Sequence, residues 1–446
     1  MGWIYQHAID VLIFLGDDSP ESSGAAEYIN RMLKFASQTK SITKTEKKQL
    51  LAVSALLSRP WFSRRWVIQE VALARKATVM VPSYTSHVVC IWKMPWVDFA
   101  DAVPLFSRRA DLAKHLTPDE AYGLGEIDAL GAASLVNLTN NLHRKDSEDR
   151  ILDSLLDLES LLTKIPMFDV TQIQDAVYAV LSLAKDTQSK FPDHESPPIP
   201  INYHISPSRL FAYVVRFIIK QTNSLDILCR PWAPSGIDLP SWIATVATCP
   251  YARRPDGSYH RQYADTLVRS PGARGKFYNA SGGSGPTVWQ TCSVYPNNHE
   301  HTKGLYLEIN AHDHVEDEAI EKLVVAGVYL DEILCIGYHG WMGIEEECPA
   351  EFWRTVVGDR GPDSENAPSW YRRACQHVYR RIGHVDLDTT KMITISLSDD
   401  ADFLRRMQSV TWGRRFFKTR RGKPGLGPPD CKCSSNFEAQ SWGPKL

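Results

Sequence analysis

The chain has 446 residues, 43% of them hydrophobic and 23% charged, with a formal net charge of −2. That length accommodates two or three domains, each with its own core, and the near-neutral balance excludes a general attraction to nucleic acid or to an anionic membrane. The nine cysteines lack paired spacing until Cys431 and Cys433, a pattern of reduced thiols in a cytoplasmic protein rather than of a secreted disulfide framework.

In chain order, the opening "MGWIYQHAIDVLIFLGDD" lacks a basic n-region and is interrupted by Asp10. It reads as a helix end followed by a strand, not as a signal peptide. Gln6, where Ser or Thr is expected, argues against myristoylation. "VLIFL" (11–15) is continuously apolar, as in a parallel strand covered on both faces. A helix capped by Ser22 or Ser23 follows, with Ile29, Met32, Leu33 and Ala36 on one side. "TEKKQLLAVSALL" predicts a second helix, stopped by the Arg59-Pro60 step. Ser63 is then a candidate cap for an amphipathic helix "RRWVIQEVALAR", which leads into the strand "ATVMV". Strand, helices and strand in this order suggest part of a doubly wound α/β domain.

From about 100 to 225 the pattern is helical: "DSEDRILDSLLDLESLLTK", "DVTQIQDAVYAVLSLAKD" and, capped by Ser206, "SPSRLFAYVVRFIIKQ". The proline-rich "FPDHESPPIPINY" connects the second and third. Residues 251–287, rich in Gly, Ser, Arg and Pro, form a loop-rich insert. Beyond it, "LYLEINAH" and "KLVVAGVYLDEILCIG" predict strands in a mixed α+β region. No apolar run approaches the roughly 18 residues a membrane span needs. Several of the thirteen tryptophans sit in Trp/Pro clusters ("RPWF", "KMPWV", "RPWAP", "LPSW"), which pin loops onto a core.

Chemistry-bearing patterns are few. "SGGSGP" lacks the Lys-Ser/Thr ending of a phosphate loop and the last glycine of a nucleophile elbow. "HEH" (His299, His301) and "HDH" (His312, His314) supply imidazole pairs without the four ligands of a zinc site, so no metal is expected. The basic segment Arg414, Arg415, Lys418, Arg420, Arg421 and Lys423, around Phe416 and Phe417, could bind single strands, but on a neutral chain it reads as a solvated face. The remaining candidate is Glu70. It shares a helical face with Trp66 and Leu73, beside a stripe of Val67, Val71 and Ala74 directed at the sheet. Partial burial raises such a carboxyl and Arg64 or Arg65 lowers it; the plain alternative is a surface glutamate paired with arginine.

The succession "IYQHAIDVLIFLGD", "RPWFSRRWVIQEVALA", "QDAVYAVLSLA", "PINYHISPSRLFAYVVRFII" and "LPSWI" resembles the fungal heterokaryon-incompatibility (HET) domain proteins. Trp61, Phe62, Arg65, Trp66, Gln69 and Glu70 are the residues of the long central motif, and "GRRFFKTRRGKPGLGP" is similar to a late block of long members. The resemblance implies non-self recognition between fungal strains and programmed cell death. It also implies a flavodoxin- or TIR-like parallel sheet, only partial here, since the opening "Y-A-L-S-Y-x-W-G" and "W-I-D-x-x-C-I-N-Q" blocks of the domain do not occur. Some TIR domains cleave NAD with a glutamate in an "S-x-W-C-x-x-E-L" helix. "SRRWVIQEV" parallels it through Trp66 and Glu70, with one arginine inserted and Val in place of Cys.

The expected organisation is thus a partial HET domain (1–95, α/β), a helical extension (96–250), the loop-rich insert (251–287) and a mixed region (288–446). Three functions follow from the resemblance. The leading one is a death-inducing protein acting through contacts with an unidentified non-self protein and through self-association, without cofactor, nucleic acid or membrane. The second is an NAD glycohydrolase with NAD as substrate and Glu70 as catalytic residue. The third is an inactive truncated relic: the missing blocks mean either that the true start lies upstream of Met1 or that the chain is a degenerate member, and an intact upstream exon would count against the relic.

Overall fold

The computed structural model describes residues 2–17, 22–34, 43–85, 88–116, 131–146, 151–166, 168–187, 199–234, 236–240, 242–246, 251–253, 259–261, 268, 333–336, 348–361, 366–382, 393, 398–411 and 414–427. The chain divides into two compact units, one of residues 1–222, 232–239 and 251–262, the other of residues 223–231, 240–250 and 263–446. The architecture is mixed α/β with small sheets, and the N-terminal sheet contains one parallel pair.

The first unit opens with helix α1 (Gly2–His7), strand β1 (Val11–Phe14), α2 (Ser22–Lys34) and α3 (Lys44–Leu57). A 3-10 turn (Pro60–Ser63), α4 (Val67–Ala72) and β2 (Ala77–Thr85) follow. β1 pairs in parallel with β2, Ile13 lying beside Val79, and both side chains are buried. The cover expected on both faces of "VLIFL" is present on one: Leu12 is 62% and Phe14 51% exposed. Strand β1 lies at one end of the three-stranded order, and α2 and α5 (Trp96–Leu116) pack on β2.

The two early helices form; of the predicted α2 stripe Ile29 is buried, Met32 and Leu33 are half-buried, and Ala36 lies outside the described residues. α2 buries Ala25, Ala26, Tyr28 and Ile29, but Ser22 is its first residue, and the Ser22 Oγ accepts from Arg59 Nη2 at 2.8 Å. α3 starts at Thr43, whose hydroxyl accepts the Glu46 amide at 3.1 Å, the Thr-x-x-Glu pattern of a helix start. Glu46 also accepts from Arg109 Nε (2.7 Å) and Nη2 (3.0 Å) of α5, and from the Tyr28 hydroxyl at 2.9 Å. Burial raises the Glu46 carboxyl, but the Arg109 and Tyr28 hydrogen bonds outweigh it and hold the group below its ordinary value.

Two departures from the periodicity have tertiary causes. β2 runs beyond "ATVMV" to Thr85 and turns back into β3 (Val88–Pro95), pairing from Thr85–Val88 to Thr78–Pro95. The segment 146–164, expected as one helix, holds strand β5 (Ile151–Ser154), paired with β4 (His143–Lys145), and only then α7 (Leu158–Lys164). Asp157 sets that boundary, its Oδ1 accepting the Ser160 amide at 2.8 Å. Between them stands α6 (Gly131–Asn140); after α7 come α8 (Asp175–Leu181) and α9 (Pro207–Thr222). Ser206 caps α9 as expected, accepting from the Arg209 amide at 3.3 Å. The inward face of α9 includes Phe211, whose ring stands 5.1 Å from that of Trp232 in "RPWAP". A short antiparallel pair, β6 (Tyr251–Arg253) with β7 (Tyr259–Arg261), completes the unit.

The second unit contains β8 (Ile333–Ile336), α10 (Ala350–Val356), α11 (Tyr371–Ile382), α12 (Ser398–Thr411), β9 (Arg415–Thr419) and β10 (Pro424–Gly427). β9 is central, antiparallel to both β8 and β10. Phe352, Trp353 and Val356 of α10, Tyr371, Cys375 and Val378 of α11, Phe403, Leu404 and Met407 of α12, and Phe416 of β9 share one buried core. β8 falls within the predicted "KLVVAGVYLDEILCIG" strands, whereas "LYLEINAH" lies outside the described residues. Among the described residues no helix is long and apolar enough to cross a membrane.

Candidate functional site

The central motif enters through Arg59, whose guanidinium closes the turn after β1 by donating to Leu15 O at 2.9 Å as well as to Ser22. Pro60 then opens a 3-10 turn, as its fixed φ favours. Helix α4 is shorter than the predicted "RRWVIQEVALAR". Ser63 spends its hydroxyl on Pro60 O at 2.9 Å, and Trp66 stands at the N-cap without a side-chain cap. Arg64 is instead extended and bridges to Asp169: the Asp169 amide donates to Ser63 O at 2.6 Å and the Arg65 amide to Asp169 O at 3.1 Å.

Arg65 and Gln69, one helical turn apart, face inward. Arg65 is 2% exposed and donates to three backbone carbonyls: Ala176 (2.8 Å), Ile165 (3.0 Å) and Phe168 (3.0 Å). Ile165 is the C-cap of α7, so the cation sits at the partly negative C-terminal end of that helix. Gln69 Nε2 adds a bond to Ala179 O of α8 at 2.8 Å. Trp61 and Phe62 turn the other way into an aromatic cluster: Phe62 stacks on Phe99 at 5.8 Å and Trp61 lies 6.4 Å from Trp96, the tryptophan of "KMPWV". Gly131 allows α6 to close on this cluster, since a Cβ there would stand 2.5 Å from Phe62 O. Val67, Val71 and Ala74 are buried, but the helix packs chiefly on α1, α6 and α8 rather than on the sheet the stripe was expected to meet.

Glu70 and Trp66 are half-buried on the remaining side of α4. α1 lies over it, because Gly2 has no side chain; a Cβ there would meet Ser182 Oγ at 2.9 Å and Leu73 Cδ1 at 3.0 Å. Burial pushes the Glu70 carboxyl above its ordinary value; the Arg64 charge and a hydrogen bond from the Trp61 side chain pull against that shift without cancelling it. Burial and the Glu70 charge raise the Tyr5 phenol, and Arg64 opposes them. Glu70 is thus held by the Trp61 side chain and lies within electrostatic reach of Tyr5 and Arg64. Such a carboxyl can exchange a proton or face a developing positive charge.

Of the six motif residues, then, Arg65 and Gln69 bind backbone, Trp61 and Phe62 bind aromatics, and Trp66 and Glu70 stand at the half-open face. The arginine beside Glu70 is Arg64; Arg65 is turned away. Tyr5 and the Trp61 contact were not anticipated, because no sequence period links residue 5 or residue 61 to residue 70. Among the described residues no group of three His, Cys, Asp or Glu could hold a metal, and His299, His301, His312, His314, Cys431 and Cys433 lie outside them. In the basic segment, Phe416 is buried against Phe352 at 5.5 Å, while Arg415, Lys418, Arg420, Arg421 and Lys423 are exposed.

Compared with known proteins, residues 1–70 match the model of the heterokaryon incompatibility protein (HET) family. The resemblance read from the motifs is therefore borne out for the stretch that ends at Glu70. No curated protein and no solved structure matches the chain.

Proposed function

We propose that this protein is a cytoplasmic mediator of heterokaryon incompatibility, taking part in fungal non-self recognition and programmed cell death through contacts with another protein. The observation that carries the reading is the family match over residues 1–70. Two features of that stretch support a contact-driven role. Most of its motif side chains are committed to holding backbone and aromatic neighbours, as above. It also leaves large apolar groups in water, Trp3 at 70%, Ile4 at 57% and Ile9 at 94% exposure as well as Leu12 and Phe14, groups that proteins use to engage one another. The parallel β1–β2 pair, bridged by helices, suits a TIR-like module that works by assembly.

Induced expression of the full chain in a fungal host tests this, with Leu12→Lys/Phe14→Lys and Glu70→Gln variants at matched abundance. Cell death that survives Glu70→Gln and disappears in the double lysine variant is the expected result. Death that needs Glu70 but tolerates both lysines would sink the contact reading.

A second reading rests on Glu70 itself, a carboxyl raised by burial and flanked by Trp61, Tyr5 and Arg64. In it, Glu70 faces the ribose of NAD and stabilises positive charge as the nicotinamide C–N bond breaks. Water adds to the ribose carbon, releasing nicotinamide, ADP-ribose and a proton. Loss of cellular NAD with the native chain and not with Glu70→Gln would favour it; unchanged NAD with both would remove it.

A further inference from the structure

The spacing of the nine cysteines predicts reduced thiols and singles out neither Cys348 nor Cys375. The fold brings them together: their sulfurs are 3.3 Å apart although 27 residues separate them in sequence. That distance is at or below ordinary packing contact between carbon atoms, about 3.5–4.0 Å, and the two sulfurs would have to close further to reach about 2.05 Å in a disulfide. Both residues are free cysteines. Cys348 lies just before α10, and Cys375 is in the middle of α11. They are 3% and 0% exposed, within the core that includes Phe352, Tyr371, Val378 and Phe403.

We propose that Cys348 and Cys375 are an oxidisable pair that forms a disulfide with a small-molecule disulfide of the glutathione class as oxidant. One cysteine thiolate attacks a sulfur of the oxidant and expels one glutathione thiolate. The second cysteine attacks the protein sulfur of that mixed disulfide and expels the other. The two protein thiols lose two protons and two electrons; the oxidant takes them up as two glutathione thiols.

The surroundings set the rate. Burial and the bond from Cys348 hold the Cys375 thiol well above its ordinary value, so the thiolate that must attack is scarce in the folded core. Exchange therefore follows local opening, and the bond, once made, is shielded from external reductant by the same packing. Its mechanical effect is to tie the start of α10 to α11, closing a loop that otherwise gains conformational freedom on unfolding.

The test uses the full chain. Protein incubated with oxidised glutathione at pH 8, with and without low urea, is quenched by alkylation, digested without reduction and read by mass spectrometry. With nine cysteines in the chain, identification at the peptide level is essential. The expected product is the Cys348–Cys375 peptide pair, two hydrogens lighter than the separate thiols. It should form several-fold faster in low urea, be absent from Cys348→Ser and from Cys375→Ser, and resist dithiothreitol until denaturant is added. Recovery of both residues as alkylated monomeric thiols after refolding in a glutathione redox buffer would overturn the proposal. So would pairing of either with a different cysteine.

Discussion

Replacing Arg65 with alanine removes the guanidinium that donates to Ala176, Ile165 and Phe168 at 2.8, 3.0 and 3.0 Å. Hydrogen bonds involving a charged group contribute about 1.5–3 kcal/mol each, so the gross loss across the three is roughly 4–9 kcal/mol. Against it stands the relief of no longer holding a cation away from water, several kcal/mol for a buried ion. Water entering the vacated space would satisfy part of what the carbonyls lose. The net expectation is about 3–5 kcal/mol of destabilisation, a fifth or more of a stability of about 5–15 kcal/mol. With a urea slope of about 2–3 kcal/mol/M for a unit of this size, the unfolding midpoint should fall by about 1–2 M. The assay is urea unfolding followed by tryptophan fluorescence, since Trp61, Trp66 and Trp96 all report on the surroundings of α4. Arg65→Lys, which keeps charge but not the planar fork, should fall between native and alanine. Arg64→Ala, at the exposed neighbour, should stay within about 0.5 kcal/mol of native. A midpoint for Arg65→Ala indistinguishable from that of Arg64→Ala would refute the argument that this residue fastens the motif to the middle helices.

Glu70 gives a pH dependence with a definite sign. Its folded-state pKa is raised, so the native state binds the proton more tightly than the unfolded chain. Its ionised form then costs stability above the raised value, and the cost vanishes as pH falls below the ordinary carboxylate value. Glu70→Gln should therefore flatten the fall in urea midpoint as pH rises above the ordinary carboxylate value; an unchanged slope would contradict the assignment. Glu46 behaves oppositely: its lowered value means that its stabilisation is present above the ordinary carboxylate value and lost as pH falls through the folded one. A double-mutant cycle of Glu46→Gln with Arg109→Met should show a coupling of about 1–2 kcal/mol, more than the about 0.2–1 of exposed pairs, and additivity would rule it out. Gly131→Ala, forced against Phe62 O, should destabilise by about 1–2 kcal/mol despite alanine's better helix propensity, detectable as a lower melting temperature.

Elements whose signals are local were legible in the sequence. "VLIFL" announced a strand in a parallel pair, Ser206 announced the start of α9, and "RPWAP" announced a segment pinned to the core, by Trp232. What stayed hidden depends on distant partners. β5 occupies a stretch with helical periodicity because β4 offers it a ladder, and Asp157 restarts the helix only afterwards. The open face of β1 could not be read from four apolar residues in a row, since such a run does not say what covers each side. At the site, the four-residue spacing of Arg65 and Gln69 was visible, yet only the carbonyls at 165–179 reveal that this face points inward. The same limit applies to Tyr5, placed beside Glu70 by the absence of a side chain at Gly2, and to the cysteines of the second unit.

The family match ends at Glu70, in the middle of α4, whereas the carbonyls that hold Arg65 and Gln69 belong to residues 165–179. The first seventy residues are therefore not a cassette. An exchange of this segment between variant chains would carry the keys without the lock plate, unless the α7–α8 region travelled with it or had kept the same backbone path. Change in the two stretches is constrained together, although about a hundred positions separate them in the chain.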